Sequence, residues 1–450
     1  MSDIIAALAT GSAKSAIGII RLSGPGCATL AGRIFVPDRG GSFEESSLHV
    51  LHLGCLYDRF GRLIDRCVAV HSRGPASYTG EDTAELQCHG SPAVLSAALE
   101  ALFALGARQA EPGEFTRRAF LNGRLDLSQA EAVADLIDAQ TADAAANAAG
   151  QVGGVLRTAV EELSDELSGV LAHFHAELDY PDEDIEPFEL PGVLDTLRAV
   201  QARLTALERS YSRGQVLRNG LKTVLLGRPN VGKSSLLNAL AGYERVIVTP
   251  AAGTTRDTVE EPVRLGGVLL RIVDTAGIRD AGDEIEALGV ERSRRAAQDA
   301  QLALLVIDGS QSLTEEDALA AEAAKAAPHV LVLRNKSDLP QMEITLPYPD
   351  AIFVSAVTGQ GLEELSDWIR ARFGAEDTDG SILFSARQAG AAARAAASVD
   401  RAVQALEAGV YPDAALQDVE EALSALGEIT GRSVSEQVLS AIFSRFCVGK

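Results

Sequence analysis

The residues with the clearest chemistry form one run near the middle of the chain, Gly227-Arg228-Pro229-Asn230-Val231-Gly232-Lys233-Ser234. This run matches the phosphate-loop pattern G-x-x-x-x-G-K-[ST]. It lies between a strand-like and a helical segment, which is the arrangement that phosphate binding by such a loop requires. The glycines allow backbone N–H groups and the helix N-terminus to face phosphate oxygens. We therefore predict that Lys233 contacts the β- and γ-phosphates and that Ser234 ligates Mg²⁺.

Two further motifs identify the nucleotide. Asp274-Thr275-Ala276-Gly277 follows a strand-like segment, where a D-x-x-G pattern holds the metal side of the phosphates. Asn335-Lys336-Ser337-Asp338 follows another such segment. The Asp338 carboxylate only accepts hydrogen bonds, so it pairs with the ring N–H and amino donors of guanine and rejects adenine. Ser355-Ala356, after the next strand, is expected to offer a backbone N–H to the guanine carbonyl.

The predicted GTP-contacting residues therefore come from short segments beside these strands. They are Asn230, Val231, Gly232, Lys233, Ser234, Ser235, Thr249, Pro250, Ala251, Ala252, Gly253, Thr254, Thr255, Asp274, Thr275, Ala276, Gly277, Asn335, Lys336, Asp338, Ser355, Ala356 and Val357. Of these, Ser234 and Thr255 are the predicted ligands of Mg²⁺.

The groups that accelerate GTP hydrolysis must differ from those of Ras-like GTPases. Those proteins orient the attacking water with a glutamine directly after D-x-x-G, but this chain has Ile278 there. Asn230, with Thr249, Ala251 and Thr254, could surround a K⁺ ion that replaces an arginine finger, a group that contributes about 10³ to 10⁵ in rate. The alternative is a plain switch loop without a cation.

Glu286 is the candidate that orients the attacking water, and Lys233 and Asn230 complete the predicted catalytic set. Acidic residues at a helix start are also common because they complement the helix dipole. Sequence chemistry alone leaves both interpretations of Glu286 open.

Composition narrows the class of protein. The chain has 450 residues, 46% of them hydrophobic, and a formal net charge of −23. We expect a folded multidomain protein in which any RNA contact is confined to a local basic patch or assisted by a partner, because phosphate binding draws on clustered Lys and Arg. Apolar segments are strand-length, and the N-terminal residues lack a basic stretch before an apolar one, so we expect a cytoplasmic protein without a membrane span.

The order of predicted elements indicates three domains. Short β-like runs and one helix near 92–105 predict an N-terminal α+β domain over residues 1–116. Helical periodicity over 117–214 and 376–450 predicts a discontinuous helical domain, with capping boxes at Ser128-Gln129-Ala130-Glu131 and Ser433-Val434-Ser435-Glu436. Alternating apolar runs and helices over 215–375 predict an inserted Ras-like α/β G domain with a mainly parallel sheet. Its expected strands are 221–226, 269–273, 302–307, 330–333 and 352–354.

Taken with these motifs, the chain resembles the bacterial and organellar tRNA modification GTPases of the MnmE or TrmE family. The resemblance covers the whole length. It includes Gly253-Thr254-Thr255-Arg256-Asp257 in the switch region, the run Pro112-Gly113-Glu114-Phe115-Thr116-Arg117-Arg118-Ala119-Phe120-Leu121-Asn122-Gly123, and the tail Phe446-Cys447-Val448-Gly449-Lys450. The GTPase motifs are shared with ribosome-assembly GTPases, whereas the N-terminal run and the tail are specific to this family.

The resemblance implies a detailed function. Members are homodimers through an N-terminal domain similar to folate-binding one-carbon enzymes, which holds a 5,10-methylene or 5-formyl tetrahydrofolate. With an FAD-dependent partner of the MnmG or GidA type, in a heterotetramer, they add an aminomethyl or carboxymethylaminomethyl group to C5 of the wobble uridine of certain tRNAs. Potassium-dependent dimerisation of the G domains activates hydrolysis, and Glu286 matches the water-orienting acid.

Four positions match the family's folate contacts: Arg21, Glu81, Arg124 and Lys450. Arg124 stands where members often have lysine, and its planar guanidinium is a different donor. Two other functions are weighed against this one: a GTP-switched ribosome-assembly factor without modifying activity, and a stand-alone folate enzyme with a regulatory G domain. An assembly factor would need a basic RNA-binding module, and the sequence shows none.

Overall fold

The computed structural model describes residues 3–179, 190–243, 260–274, 286–344, 347–374, 378–409 and 412–450. The chain divides into two compact units, each built from separate stretches of sequence. The first unit contains Met1–Ala134, Gln151–Leu204 and Ala391–Lys450, and the second contains Asp135–Gly150 and Thr205–Gly390. Each unit is described by itself below.

The first unit begins with a sheet to which, within the described residues, seven strands belong, in the order β3-β4-β5-β6-β2-β1-β7. Neighbouring strands run antiparallel except for the parallel pair β1 and β7. The strands are β1 (Ile5–Leu8), β2 (Ile17–Ser23), β3 (Phe35–Pro37), β4 (His52–Tyr57), β5 (Leu63–Ser72), β6 (Thr83–His89) and β7 (Arg108–Gln109).

One face of this sheet forms the core of the N-terminal region. Residues alternate between the two faces of a strand, so Ile20 and Leu22 of β2 and Leu86 of β6 share the buried side. They pack with helices α1 (Cys27–Gly32) and α2 (Pro92–Ala104), and α3 (Glu114–Leu121) follows β7. The predicted α+β character and the helix near 92–105 are confirmed.

Long helices follow, as the sequence periodicity predicts. They are α4 (Leu127–Asp138), α5 (Ala142–Val152), α6 (Val155–Asp179) and α7 (Leu190–Asn219). The predicted capping box at Ser128 is wrong by two residues: Asp126 Oδ1 accepts the backbone N–H of Gln129 at 2.8 Å, and Gln129 Oε1 accepts the N–H of Asp126 at 3.0 Å. Asp126 is the cap because α4 begins at Leu127, so Ser128 already lies in the first turn, where its Oγ donates to Asp126 Oδ1.

The second unit contains the predicted α/β sheet, in the order β13-β12-β11-β8-β10-β9 within the described residues. The strands are β8 (Leu221–Leu226), β9 (Glu260–Leu265), β10 (Val268–Asp274), β11 (Leu302–Asp308), β12 (His329–Asn335) and β13 (Ala351–Phe353). The five predicted strands are confirmed and are mutually parallel. Sequence reasoning missed β9, which pairs antiparallel with β10. Its sequence begins Glu260-Glu261-Pro262, and charges and proline are tolerated on such an edge strand.

Helices cover this sheet, and the last helices return to the first unit. Those beside the α/β sheet are α8 (Lys233–Tyr243), α9 (Glu286–Asp299), α10 (Glu315–Ala324) and α11 (Leu362–Phe373). Then come α12 (Ala386–Glu407), α13 (Pro412–Thr430) and α14 (Glu436–Phe443). The second predicted capping box is also wrong, because Ser435 is the N-cap of α14 and makes no side-chain cap bond, while Ser433 Oγ donates to Ser424 O. Over the described ranges, no helix is both long and apolar enough to cross a bilayer.

Candidate functional site

The phosphate loop joins the end of β8 to the start of α8, as predicted. Gly227 has φ 144° and Gly232 has φ 97°, which side-chain-bearing residues rarely adopt. Space is also limiting: a Cβ at Gly227 would lie 2.2 Å from Val306 O, and one at Gly232 would lie 2.3 Å from Asn335 Nδ2. The loop therefore lies directly against β11 and against the base-recognition motif, and both contacts require glycine.

Lys233 is held across this loop. Its Nζ donates to Gly227 O at 2.6 Å and to Arg228 O at 2.8 Å, and the residue is 8% exposed. A buried ammonium with carbonyl partners is suited to bind phosphate oxygens, which are stronger acceptors because they are charged. Ser234, the predicted Mg²⁺ ligand, is exposed in the first turn of α8, as is Ser235.

Asn335 connects the base-recognition motif to the phosphate loop. This buried side chain donates from Nδ2 to Val231 O at 2.8 Å, and its Oδ1 accepts the N–H of Ala356 at 3.1 Å. Asp338 Oδ1 accepts from Ser355 Oγ at 2.6 Å, which fixes one carboxylate oxygen. The structure thus brings the phosphate loop, N-K-x-D and the Ser355-Ala356 segment together at the carboxyl ends of the parallel strands, where α/β folds bind ligands.

Lys336, the second residue of N-K-x-D, forms an ion pair with an acid that sequence reasoning did not single out. Its Nζ lies 2.7 Å from Oδ2 of Asp308, at the end of β11. Burial raises the pKa of Asp308, but the hydrogen bonds from Lys336 and Ser310 outweigh burial and hold that pKa below its ordinary value. Asp308 is therefore an ionised partner that orients Lys336.

The switch residues fall largely outside the described part of the chain. Predicted GTP, Mg²⁺ and K⁺ contacts outside it are Thr249, Pro250, Ala251, Ala252, Gly253, Thr254, Thr255, Thr275, Ala276 and Gly277. The structure describes the backbone of Asp274, at the end of β10, and of Glu286, at the start of α9, but not their side chains. Of the predicted K⁺ ligands it describes Asn230, which has the left-handed φ of 65°.

A second group of charges lies on the face of the N-terminal sheet opposite the one that packs against α1 and α2. Arg21 Nε donates to Glu85 Oε1 at 2.9 Å, and the Arg21 guanidinium carbon lies 5.6 Å from the ring centre of Tyr78 and 5.9 Å from that of Phe115. Burial lowers the pKa of Lys450, and the charge of Arg21 lowers this pKa further. These residues form a part-buried cluster of two cations, one acid and two aromatic rings.

The C-terminal tail is fixed to the same domain, which explains how Lys450 reaches this cluster. The backbone N–H of Phe115 donates to Lys450 O at 3.2 Å, and Val448 pairs with Pro112 in an antiparallel bridge. Gly449 has φ 98°, and a Cβ there would lie 2.1 Å from Leu8 O. The tail and the Pro112 run, which both carried the family resemblance, are thus in direct contact.

Glu81 and Arg124, the other two predicted folate contacts, have different surroundings. Glu81 Oε2 accepts from Ser23 Oγ and from Arg118 Nη1, both at 2.9 Å. Arg124 is exposed, and its stem lies beside Gly80. Sequence reasoning missed Glu85, because only the β2–β6 register, in which Arg21 and Glu85 are directly opposed, shows that both side chains belong to one face.

Comparison with known proteins agrees with this geometry. A family model described as the MnmE helical domain matches residues 127–447, and one described as the GTP-binding protein TrmE N-terminus matches residues 4–124. The chain belongs to the MnmE family. A tRNA modification GTPase MnmE from Synechococcus sp. (strain JA-3-3Ab) is 45% identical over 100% of this chain and 99% of its own length. The one from Roseiflexus sp. (strain RS-1) is 43% identical over 100% of this chain and 99% of its own. The protein is a GTPase of this family.

Proposed function

We propose that this MnmE-family GTPase hydrolyses GTP in the service of tRNA modification, and that it acts on C5 of the wobble uridine. In this proposal an FAD-containing partner of the MnmG or GidA type joins it in a heterotetramer that adds an aminomethyl or carboxymethylaminomethyl group. The kinship over the full length with proteins named tRNA modification GTPase MnmE supports the role in tRNA. The cytoplasm is its proposed location.

The observation that supports guanine-nucleotide binding is the hydrogen-bond network around Asn335. One side chain links the phosphate loop at Val231 to the Ser355-Ala356 segment, while Asp338 is oriented by Ser355. Because Asp338 accepts only, this arrangement selects guanine. Mg²⁺ would be held by Ser234 and Thr255, and it would neutralise charge on the β- and γ-phosphates.

The hydrolytic step needs a group that stabilises developing charge and one that orients water. We propose that Asn230, Thr249, Ala251 and Thr254 hold K⁺ for the first role and that Glu286 serves the second. Cation-dependent pairing of two G domains would bring these groups together. Support for this comes from the family match and from Ile278 standing where Ras-like GTPases have glutamine.

The N-terminal cluster is the proposed site for a tetrahydrofolate derivative, which would supply the one-carbon unit. Arg21 and Lys450 offer donors to its carboxylates, Glu85 is an acceptor for its pterin N–H groups, and Tyr78 offers a ring face. Glu81, bound to Arg118, and the exposed Arg124 remain proposed contacts from the family match. All of these residues belong to the first unit.

Dimerisation through the N-terminal domain is part of the proposal. Val36 of β3 and Leu53 of β4 lie on the same outward face and are 51% and 48% exposed. Neighbouring exposed aliphatic side chains at the edge of a sheet are typical of a protein interface. A second copy of the chain is the proposed occupant of this face.

Nucleoside mass spectrometry tests the tRNA role. In a strain deleted for the gene, we expect the C5 group to be absent from wobble uridines and restored by the wild-type gene but not by Lys233→Ala. An intact modification in the deletion strain would exclude the tRNA role. If ribosomal subunits accumulated as precursors instead, the assembly-factor alternative would be favoured.

A further inference from the structure

Arg228, the second residue of the phosphate loop, makes contacts that the proposed GTP site does not use. Its Nε donates to Asp317 Oδ2 at 3.1 Å, and its Nη2 donates to Gln311 Oε1 at 2.9 Å. The side chain is 16% exposed and that of Asp317 is 3% exposed. One guanidinium therefore connects the phosphate loop to both the loop before α10 and the first turn of that helix.

Asp317 is a rigid anchor because it is also part of a helix cap. Thr314 and Asp317 form a reciprocal capping box at the start of α10. Asp317 Oδ2 accepts the N–H of Thr314 at 3.0 Å and its Oγ1–H at 2.8 Å, in addition to Arg228. A buried carboxylate is costly without a cation, and Arg228 is the cation that pairs with it within the described ranges.

The same connection reaches the base-recognition motif. Residues 309–314 join β11 to α10, and at their start the N–H of Gly309 donates to Asn335 O at 2.9 Å. Asp308 pairs with Lys336 at 2.7 Å. The segment that receives the Arg228 side chain is thus fixed to N-K-x-D, so the phosphate loop and the guanine contacts share one support.

The backbone of Arg228 holds Lys233. Arg228 O accepts from Lys233 Nζ at 2.8 Å, so the peptide whose side chain is bound to Asp317 also orients the phosphate-binding ammonium. We propose that Arg228 is a positioning residue, which fixes the phosphate loop and Lys233 against Asp317 and does not act as an arginine finger. This inference rests on the proposed GTP site. The alternative of a finger has a physical basis, because a guanidinium can stabilise the charge that develops on the phosphates in the transition state.

The two roles predict opposite kinetics. A positioning residue affects nucleotide binding, whereas a finger acts only in the transition state and therefore lowers kcat. For Arg228→Gln we expect the Kd for GTP to rise about tenfold or more. Without the hydrogen bonds of the guanidinium to Asp317 and Gln311, the free phosphate loop keeps its binding geometry only part of the time, and the apparent affinity falls by that fraction. We expect kcat at saturating GTP, with Mg²⁺ and K⁺, to stay within about threefold of wild type.

Asp317→Asn gives the second arm, because the amide oxygen can still cap α10 but the charge that holds Arg228 is gone. We expect its Kd for GTP to rise as well, and the double variant to bind about as weakly as the weaker single variant, since both changes break one connection. The matched control is Lys325→Gln, which removes an exposed cation from the residue that follows α10 and should leave Kd and kcat unchanged.

Three results would overturn the proposal: a fall in kcat of about 10³ with unchanged Kd for Arg228→Gln, a Kd within about twofold of wild type for both single variants, or fully additive effects in the double variant. If Arg228→Gln does not fold, as judged by circular dichroism, Arg228→Lys decides, because lysine keeps the charge but cannot bind Asp317 and Gln311 together. For Arg228→Lys we expect a Kd for GTP above that of wild type but raised less than about tenfold. Wild-type protein that binds no GTP would instead refute the proposed function.

Discussion

Replacing Asp338 with asparagine tests the identity of the nucleotide most directly. Ser355 Oγ donates to Asp338 Oδ1 at 2.6 Å, and Ser355 is fully buried, so this hydrogen bond fixes the orientation of residue 338. An asparagine will place its carbonyl oxygen toward Ser355 and its amide NH₂ toward the base. Guanine presents two donors there, so at least one donor would face another donor.

The magnitude follows from the hydrogen bonds lost. A hydrogen bond to a charged group contributes about 1.5–3 kcal/mol, so losing one weakens GTP binding by a factor of about 10 to 150. Xanthosine triphosphate has an oxygen in place of the guanine amino group. The amide introduced by Asp338→Asn can donate to that oxygen, so this nucleotide should bind the variant more tightly than it binds the wild type.

Competition against a fluorescent guanine nucleotide, with Mg²⁺ held constant, measures both affinities. Asp367→Asn is the matched control, because it makes the same chemical change at an exposed position of α11. The assignment of Asp338 to the base would be refuted by a GTP affinity within about twofold of wild type, or by no gain for xanthosine triphosphate.

Further predictions concern the cation, the folate site and acid stability. Replacing K⁺ with Na⁺ should strongly depress GTP hydrolysis, and equal rates in the two salts would remove the K⁺ site. Arg21→Ala and Glu85→Gln should each weaken tetrahydrofolate binding about tenfold in equilibrium dialysis. Glu81→Gln should weaken it less, because Arg118 already binds that carboxylate, and the reverse order would make Glu81 the principal folate acid. The hydrogen bond from Arg108 lowers the pKa of Asp3 to about 2, so its carboxylate stabilises the fold above about pH 4 and loses this effect as pH falls through 2. Urea titrations should therefore show that Asp3→Asn lowers the free energy of unfolding at pH 6, by less than about 1 kcal/mol because Asp3 is half exposed. The difference between variant and wild type should shrink as the pH falls, and a difference that does not change with pH would contradict this prediction.

The parts of the site that depend on local sequence were predictable. Gly227 and Gly232 occupy a loop between a strand and a helix, and N-K-x-D follows a buried strand, so neighbouring residues alone place them at one edge of a parallel sheet. The strand β9 escaped prediction because Pro262 and two glutamates disrupt the apolar pattern, and only pairing with β10 makes them a strand.

The parts that depend on distant residues were not predictable from patterns. Arg228 and Asp317 are 89 positions apart, and nothing in either local sequence indicates the other. Glu81 and Glu85 are a second example of a distinction that local sequence does not reveal. Both are acids near the start of β6, and only the register with β2 shows that Glu85 is the one opposite Arg21.

Two buried acids have a structural role in the G domain. Asp308 and Asp317 are nearly fully buried, and each pairs with the cation of a nucleotide motif, Lys336 and Arg228 respectively. A buried acid is expensive unless its partner is held in place, and the same cost penalises any movement of the partner. Because both acids lie on one connection between β11 and the first turn of α10, displacing that connection would disturb the phosphate and guanine contacts together. Asp308 and Asp317 therefore position residues of the nucleotide site without needing to contact GTP themselves.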